Sequence, residues 1–163
     1  MSKKLEYMLK YVDTQVVFRE IPNEITLAIN ISNCPFKCEE CHSPYLREDI
    51  GKPLDIEAID TLIRLNEGIT CICFMGGDKF INELNQLAKH IKETYPNLLV
   101  ALYSGQDDMP HQLQIEYFDF VKIGHYDKEK GPLNSETTNQ ILWKITKKDN
   151  KINWENITSM FWN

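Results

Sequence analysis

Three of the chain's five cysteines fall within one short stretch, NCPFKCEECHSPY. Cys34, Cys38 and Cys41 are spaced C-x3-C-x2-C, and His42 follows the last directly. An odd set of thiols cannot close on itself as disulfides, whereas soft thiolates suit zinc or an iron–sulfur cluster. Zinc asks for a fourth ligand, and His42 is the adjacent candidate. Neighbouring side chains aim poorly at one ion, however, and structural zinc sites usually join two ligand pairs. The other two cysteines, Cys71 and Cys73, sit inside the apolar run ITCICFM and read as buried core thiols. A [4Fe–4S] cluster held by three thiolates leaves one iron open for a further ligand, and this is the expected centre. A zinc-binding interaction module without catalysis is the alternative from a different class.

The elements that must position this loop are legible as alternating strands and helices. Gln15–Ile21 and Glu24–Ile31 read as strands separated by Pro22-Asn23, with Ile25, Leu27, Ile29 and Ile31 on one face of the second. Ile56, Ile59, Leu62 and Ile63 recur at helical spacing, with Asp55 as N-cap and Gly68 as stop. ITCICFM is a buried strand. INELNQLAKHIKETYP is a second amphipathic helix with Leu84, Leu87, Ala88 and Ile91 inward, ended by Pro96. LLVALYS and FDFVKIG are further strands, and Gln106–Tyr117 between them is a helix interrupted by Pro110. Strand alternating with helix predicts βαβ units and a mostly parallel sheet, with ligands bound beyond the carboxyl ends of its strands. Every chemically suggestive stretch falls at that one edge: the Cys loop, Gly76-Gly77-Asp78, Tyr103-Ser104-Gly105, and Lys122 to Lys128 with His125.

Composition bounds the rest. At 163 residues the chain, 1–163, is expected to be a single domain with a real core. A net charge of −6 gives no footprint for nucleic acid. The longest apolar run, LLVALY, is far short of a membrane span, and MSKKLEYMLK carries no apolar segment of a secretory signal. The expectation is a soluble, cytoplasmic protein whose clustered cysteines meet a reducing environment.

The Cys triad after one strand and GGD after the next resemble the radical S-adenosylmethionine (SAM) superfamily. EITLAINISNCPFKCEECHSPYL, LYSG, KIGHYDKEKGPLNSETTNQ and ITSMFW together resemble, over nearly the whole chain, the anaerobic ribonucleoside-triphosphate reductase activating proteins. That resemblance implies an α/β fold built as a partial (β/α) barrel. It implies a [4Fe–4S] cluster on Cys34, Cys38 and Cys41, with SAM chelated at the open iron. Electron transfer from the cluster would cleave SAM, and hydrogen would be taken from a glycine of the partner reductase. The resemblance assigns Gly76, Gly77 and Asp78 to the amino group of SAM and Tyr103, Ser104 and Gly105 to its ribose or carboxylate; His42, beside the last cysteine, is expected to hydrogen-bond to the cluster or to SAM. Two positions differ from the common pattern: Glu40 stands where many members have an aromatic residue, and Asp78 where many have Glu.

A full barrel typically needs about 200 or more residues, so this length builds only part of one. An open flank is best closed by a large partner that excludes water, which favours a protein substrate. The expected partners are the reductase and a flavodoxin- or ferredoxin-like electron donor, with the loop 128–140 as lid or docking element and Asn139-Gln140 its distinctive pair. The alternatives are a small-molecule radical SAM enzyme like 7-carboxy-7-deazaguanine synthase, or an activase of another glycyl radical enzyme.

Overall fold

A computed structural model of the chain describes residues 8–36 and 43–162. Among the described residues, eight strands and two α-helices run in the order β1 (Lys10–Val17), β2 (Thr26–Ile31), β3 (Lys52–Pro53), α1 (Ile56–Leu65), β4 (Cys71–Met75), α2 (Ile81–Thr94), β5 (Leu99–Tyr103), β6 (Phe120–Ile123), β7 (Ile141–Lys148) and β8 (Lys151–Asn156). The strands form one sheet in the order β3-β1-β2-β4-β5-β6-β7-β8.

The middle of this sheet is parallel and follows the βαβ expectation. β2, β4, β5 and β6 are neighbours through three parallel pairings, with α1 and α2 in the first two crossovers. The flanks correct the expected topology. β1 and β3 on one side, and β7 and β8 on the other, join through four antiparallel pairings. The sheet is therefore mixed rather than mostly parallel, with β3 and β8 at its edges. For the β7–β8 pair, connection length is the cause. The two residues Asp149-Asn150 between β7 and β8 can make a hairpin but never a crossover. Both have positive φ, 53° and 61°, which is the backbone of a tight hairpin turn that Asn and Asp tolerate.

Other boundaries differ for local reasons. The first strand begins earlier than expected and ends at Val17, and Ile21 is fully buried in the turn that follows. Ile25 lies outside β2 and is 40% exposed, while Leu27, Ile29 and Ile31 share the buried face. Asp55 caps α1 as expected, accepting a hydrogen bond from the Ala58 amide at 2.8 Å, but Ile56 faces solvent. The segment 106–117 is not a helix and contains only the turn Ile115–Tyr117. Pro110 offers no amide hydrogen, and buried Asn85 satisfies the backbone instead: its Nδ2 donates to the Gln112 carbonyl at 2.8 Å and its Oδ1 accepts from the Gln114 amide at 2.9 Å.

The sheet buries both faces. On one, Leu27, Ile29, Ile72, Phe74 and Leu102 pack against Ile59, Leu84, Ala88 and Ile91 of the helices. On the other, Cys71, Cys73, Ala101, Phe120 and Leu142 pack under Ile21 and Ile157. Cys71 and Cys73 are thus core residues as expected, and burial pushes both thiols up from their ordinary pKa. Among the described residues no helix is long and apolar enough to cross a membrane.

Candidate functional site

Parallel pairing aligns the carboxyl ends of β2, β4, β5 and β6. Their registers place Asn30 beside Met75, Met75 beside Tyr103, and Tyr103 beside Lys122. These four side chains form a straight row along the floor of a cavity of about 510 Å³, within the usual range for small-molecule sites of about 300–1,000 Å³. The loops beyond the row supply the walls. Cys34 follows β2, Gly76 and Asp78 follow β4, Ser104 and Gly105 follow β5, and Gly124 follows β6; all of them line the cavity. Each of the described stretches contributes residues to this cavity, although Gly77, His125 and Lys128 within them do not line it. Cys38, Cys41 and His42 lie outside the described residues.

Cys34 is half-buried, and its position is set by the backbone on both sides. Its amide donates to the Leu46 carbonyl at 2.8 Å, and the Asn33 amide to the Glu48 carbonyl at 3.1 Å. Asn33 adopts φ 61°, a left-handed turn that an asparagine accepts. Its Nδ2 donates to Asp49 at 2.7 Å, and Lys10 of β1 donates to the same carboxylate at 3.0 Å. The hydrogen bond from Asn33, then that from Lys10, holds the Asp49 carboxyl below its ordinary pKa. Farther along the loop, Arg47 Nε donates to the Phe36 carbonyl at 3.1 Å. The Phe36 ring lies against Gly105, where a Cβ would come within 2.6 Å of the ring. Only glycine admits that contact.

Gly76 and Gly77 both take left-handed backbone, φ 98° and 94°, which turns the chain sharply out of β4. A Cβ on Gly77 would also meet Leu84 at 2.8 Å. The turn delivers Asp78 into a set of donors from the loop after β5. The Ser104 hydroxyl and, at 3.2 Å, Gln106 Nε2 donate to its Oδ1, and the Gly105 amide donates to its Oδ2 at 3.0 Å. A carboxylate has about four lone-pair positions, so three protein donors leave room for one more. Asp78 is thus first a clasp between the β4 and β5 loops, and it retains capacity for a single cationic donor in the cavity it lines.

Tyr103 and Lys122 are the buried polar part of the floor. The Tyr103 hydroxyl donates to the Glu20 carbonyl, and burial raises its pKa well above the ordinary value. The Lys122 ammonium lies 5.5 Å from the centre of the Tyr103 ring and donates to the Gly124 carbonyl at 3.1 Å. At 7% exposure Lys122 is a floor residue, not a solvated one. His125 is different. It is half-buried and bonded through Nδ1 to Asp107 at 2.7 Å, an interaction that holds the Asp107 carboxyl below its ordinary pKa. His125 does not line the cavity.

The loop 128–140 forms one wall through Pro132, Leu133, Asn134 and Gln140. Trp162 Nε1 fastens it by donating to the Leu133 carbonyl at 3.1 Å, and Phe161 beside it reaches the cavity. Asn139 Nδ2 donates to the His125 carbonyl at 3.0 Å, so Asn139 secures the loop while Gln140 faces the cavity. Sequence reasoning missed Arg19, Glu20 and Phe36 as lining residues. Phe36 lies between two of the cysteines and could have been found by proximity; nothing marks Arg19 or Glu20.

Among the described residues no three His, Cys, Asp or Glu side chains are placed to hold a metal ion. What the described part offers is one half-buried thiol of the triad on the wall of an aligned cavity, the donor chemistry that an iron–sulfur cluster requires. In comparisons with known proteins, the model of a family described as a 4Fe-4S single cluster domain matches residues 25–148, which runs from the residue before β2 to the end of β7. No curated protein matches, and no solved structure matches.

Proposed function

Because the chain belongs to the 4Fe-4S single cluster domain family, we propose that it is a radical SAM activating enzyme, which installs a glycyl radical on an anaerobic ribonucleoside-triphosphate reductase. The observation that carries this reading is the convergence of the Cys34, Gly76–Asp78 and Ser104–Gly105 loops on one cavity at the carboxyl ends of four parallel strands. Cys34, Cys38 and Cys41 would hold the cluster, and the cavity would hold SAM. A reduced cluster of this kind supplies one low-potential electron to the sulfonium of SAM.

The protein's own residues bind and orient. Asp78 offers its remaining lone pair to the ammonium of SAM, a charge-assisted contact. Gly76 carries no side chain and lets backbone approach the ligand, while the bare face of Gly105 seats the Phe36 ring. The Tyr103 ring and Met75 give the adenosyl part an apolar floor, and Lys122 puts a positive charge at the end of that floor. The 128–140 loop with Phe161 is the side from which the glycine-bearing segment of the reductase would approach. A flavodoxin- or ferredoxin-like protein is the fitting electron donor.

The test is to reconstitute the protein without air, add SAM and dithionite, and mix it with the reductase. The expected result is methionine and 5′-deoxyadenosine together with the doublet EPR signal of a glycyl radical on the reductase chain. SAM cleavage without that doublet, accompanied by turnover of a small molecule, would overturn the reading.

A further inference from the structure

β8 forms an outer edge of the sheet, and all six of its residues are exposed. It contains no proline, and its pairing with β7 runs without a bulge, so it lacks two of the devices that commonly protect such an edge. The hairpin fixes which backbone groups are available. A two-residue turn closes on a hydrogen-bonded pair, here Lys148 and Lys151. Lys151, Asn153 and Glu155 therefore direct their backbone groups to β7. Ile152 and Trp154 direct theirs outward.

We propose that β8 pairs antiparallel with β8 of a second copy of this chain, about a two-fold axis at Asn153. Antiparallel pairing requires outward-facing residues to meet outward-facing residues, so Ile152 of each copy meets Trp154 of the other. That register also sets Lys151 of each copy opposite Glu155 of the other. The strand KINWE is self-complementary in this arrangement: apolar pairs two residues wide on one face, opposite charges on the other. The neighbouring registers lack this property; a shift toward the turn would set Glu155 against Asp149 and repel. Ile152 and Trp154 are 43% and 42% exposed. Trp154 already stacks edge-on against Trp143, ring centres 6.1 Å apart, so one side of the new apolar cluster is preformed. Among the described residues neither Lys151 nor Glu155 forms an ion pair. No β8 residue lines the cavity, so the proposal stands apart from the catalytic reading.

Sedimentation velocity on the full chain over a range of concentrations tests it. The wild type is expected to show a concentration-dependent dimer. Lys151→Glu turns two attractive pairs into repulsive ones and should weaken dimerisation about tenfold. The double variant Lys151→Glu/Glu155→Lys should restore it, a rescue that only this register predicts. Ile152→Pro removes an outward amide that β7 does not use, and should give a monomer that still folds, checked by circular dichroism. A protein that stays monomeric throughout overturns the proposal. So does a dimer indifferent to Ile152→Pro, or one whose loss in Lys151→Glu the double variant fails to rescue.

Discussion

Asp78 is held by protein donors and, in the proposed function, would meet the ligand as well. Its three donors come from Ser104, Gly105 and Gln106, and Ser104 is completely buried. Asp78→Ala strands a buried hydroxyl and a backbone amide, at a cost of about 1–3 kcal/mol for an unsatisfied group. A lowered melting temperature is therefore expected even without ligand. SAM affinity should fall as well, by about tenfold to a hundredfold if a charge-assisted bond is lost, and calorimetric titration with SAM measures it. Unchanged stability would mean that the clasp contributes nothing. The presence of Asp78 at the site was legible from its place after an apolar strand. Its use as a clasp was not, since the partners lie about thirty residues away and no local pattern encodes a contact between two loops. The burial of Lys122 was hidden for a similar reason: a lysine in a short apolar strand is buried or solvated according to what its neighbouring strands place beside it, here Tyr103.

The start of the cysteine loop is held by contacts between elements, not by the loop itself. Asp49 joins Asn33, which precedes Cys34, to Lys10 of β1. Because its folded pKa is depressed below the ordinary value of 3.8, its contribution to stability is fully present above that value and is lost as pH falls below it. The melting temperature of Asp49→Asn should accordingly lie below that of the wild type at neutral pH, and the gap should close as the solution is acidified below pH 3.8. A gap independent of pH would assign the effect to packing. At this scale the amphipathic helices and the four parallel strands were readable, because each shows its own hydrophobic period. The antiparallel flanks were less so. Asp149-Asn150 between alternating residues is a hairpin signal that could have been used, whereas Pro110 hid a segment whose backbone is satisfied by Asn85, an arrangement visible only in three dimensions.

For the molecule as a whole, the two apolar layers on either side of the sheet do not include Cys34. Stripping iron with a chelator should therefore leave far-UV circular dichroism and cooperative unfolding largely intact, unlike small domains that unfold without their metal. Cys34→Ala, Cys38→Ala and Cys41→Ala should each lose the iron and the brown chromophore on reconstitution, while Cys71→Ala and Cys73→Ala should keep both and lose some core packing. Complete unfolding on iron removal would show that the centre is structural. The convergence of four loops also has a consequence in time. The chain emerges from the ribosome amino end first, so the thiol of Cys34 is synthesised well before Gly76–Asp78, Ser104–Gly105 and Gly124 exist to wall it in. Contacts across such sequence distances form late. Shelter for the Cys34 thiol therefore waits until the last parallel strand has been made and docked.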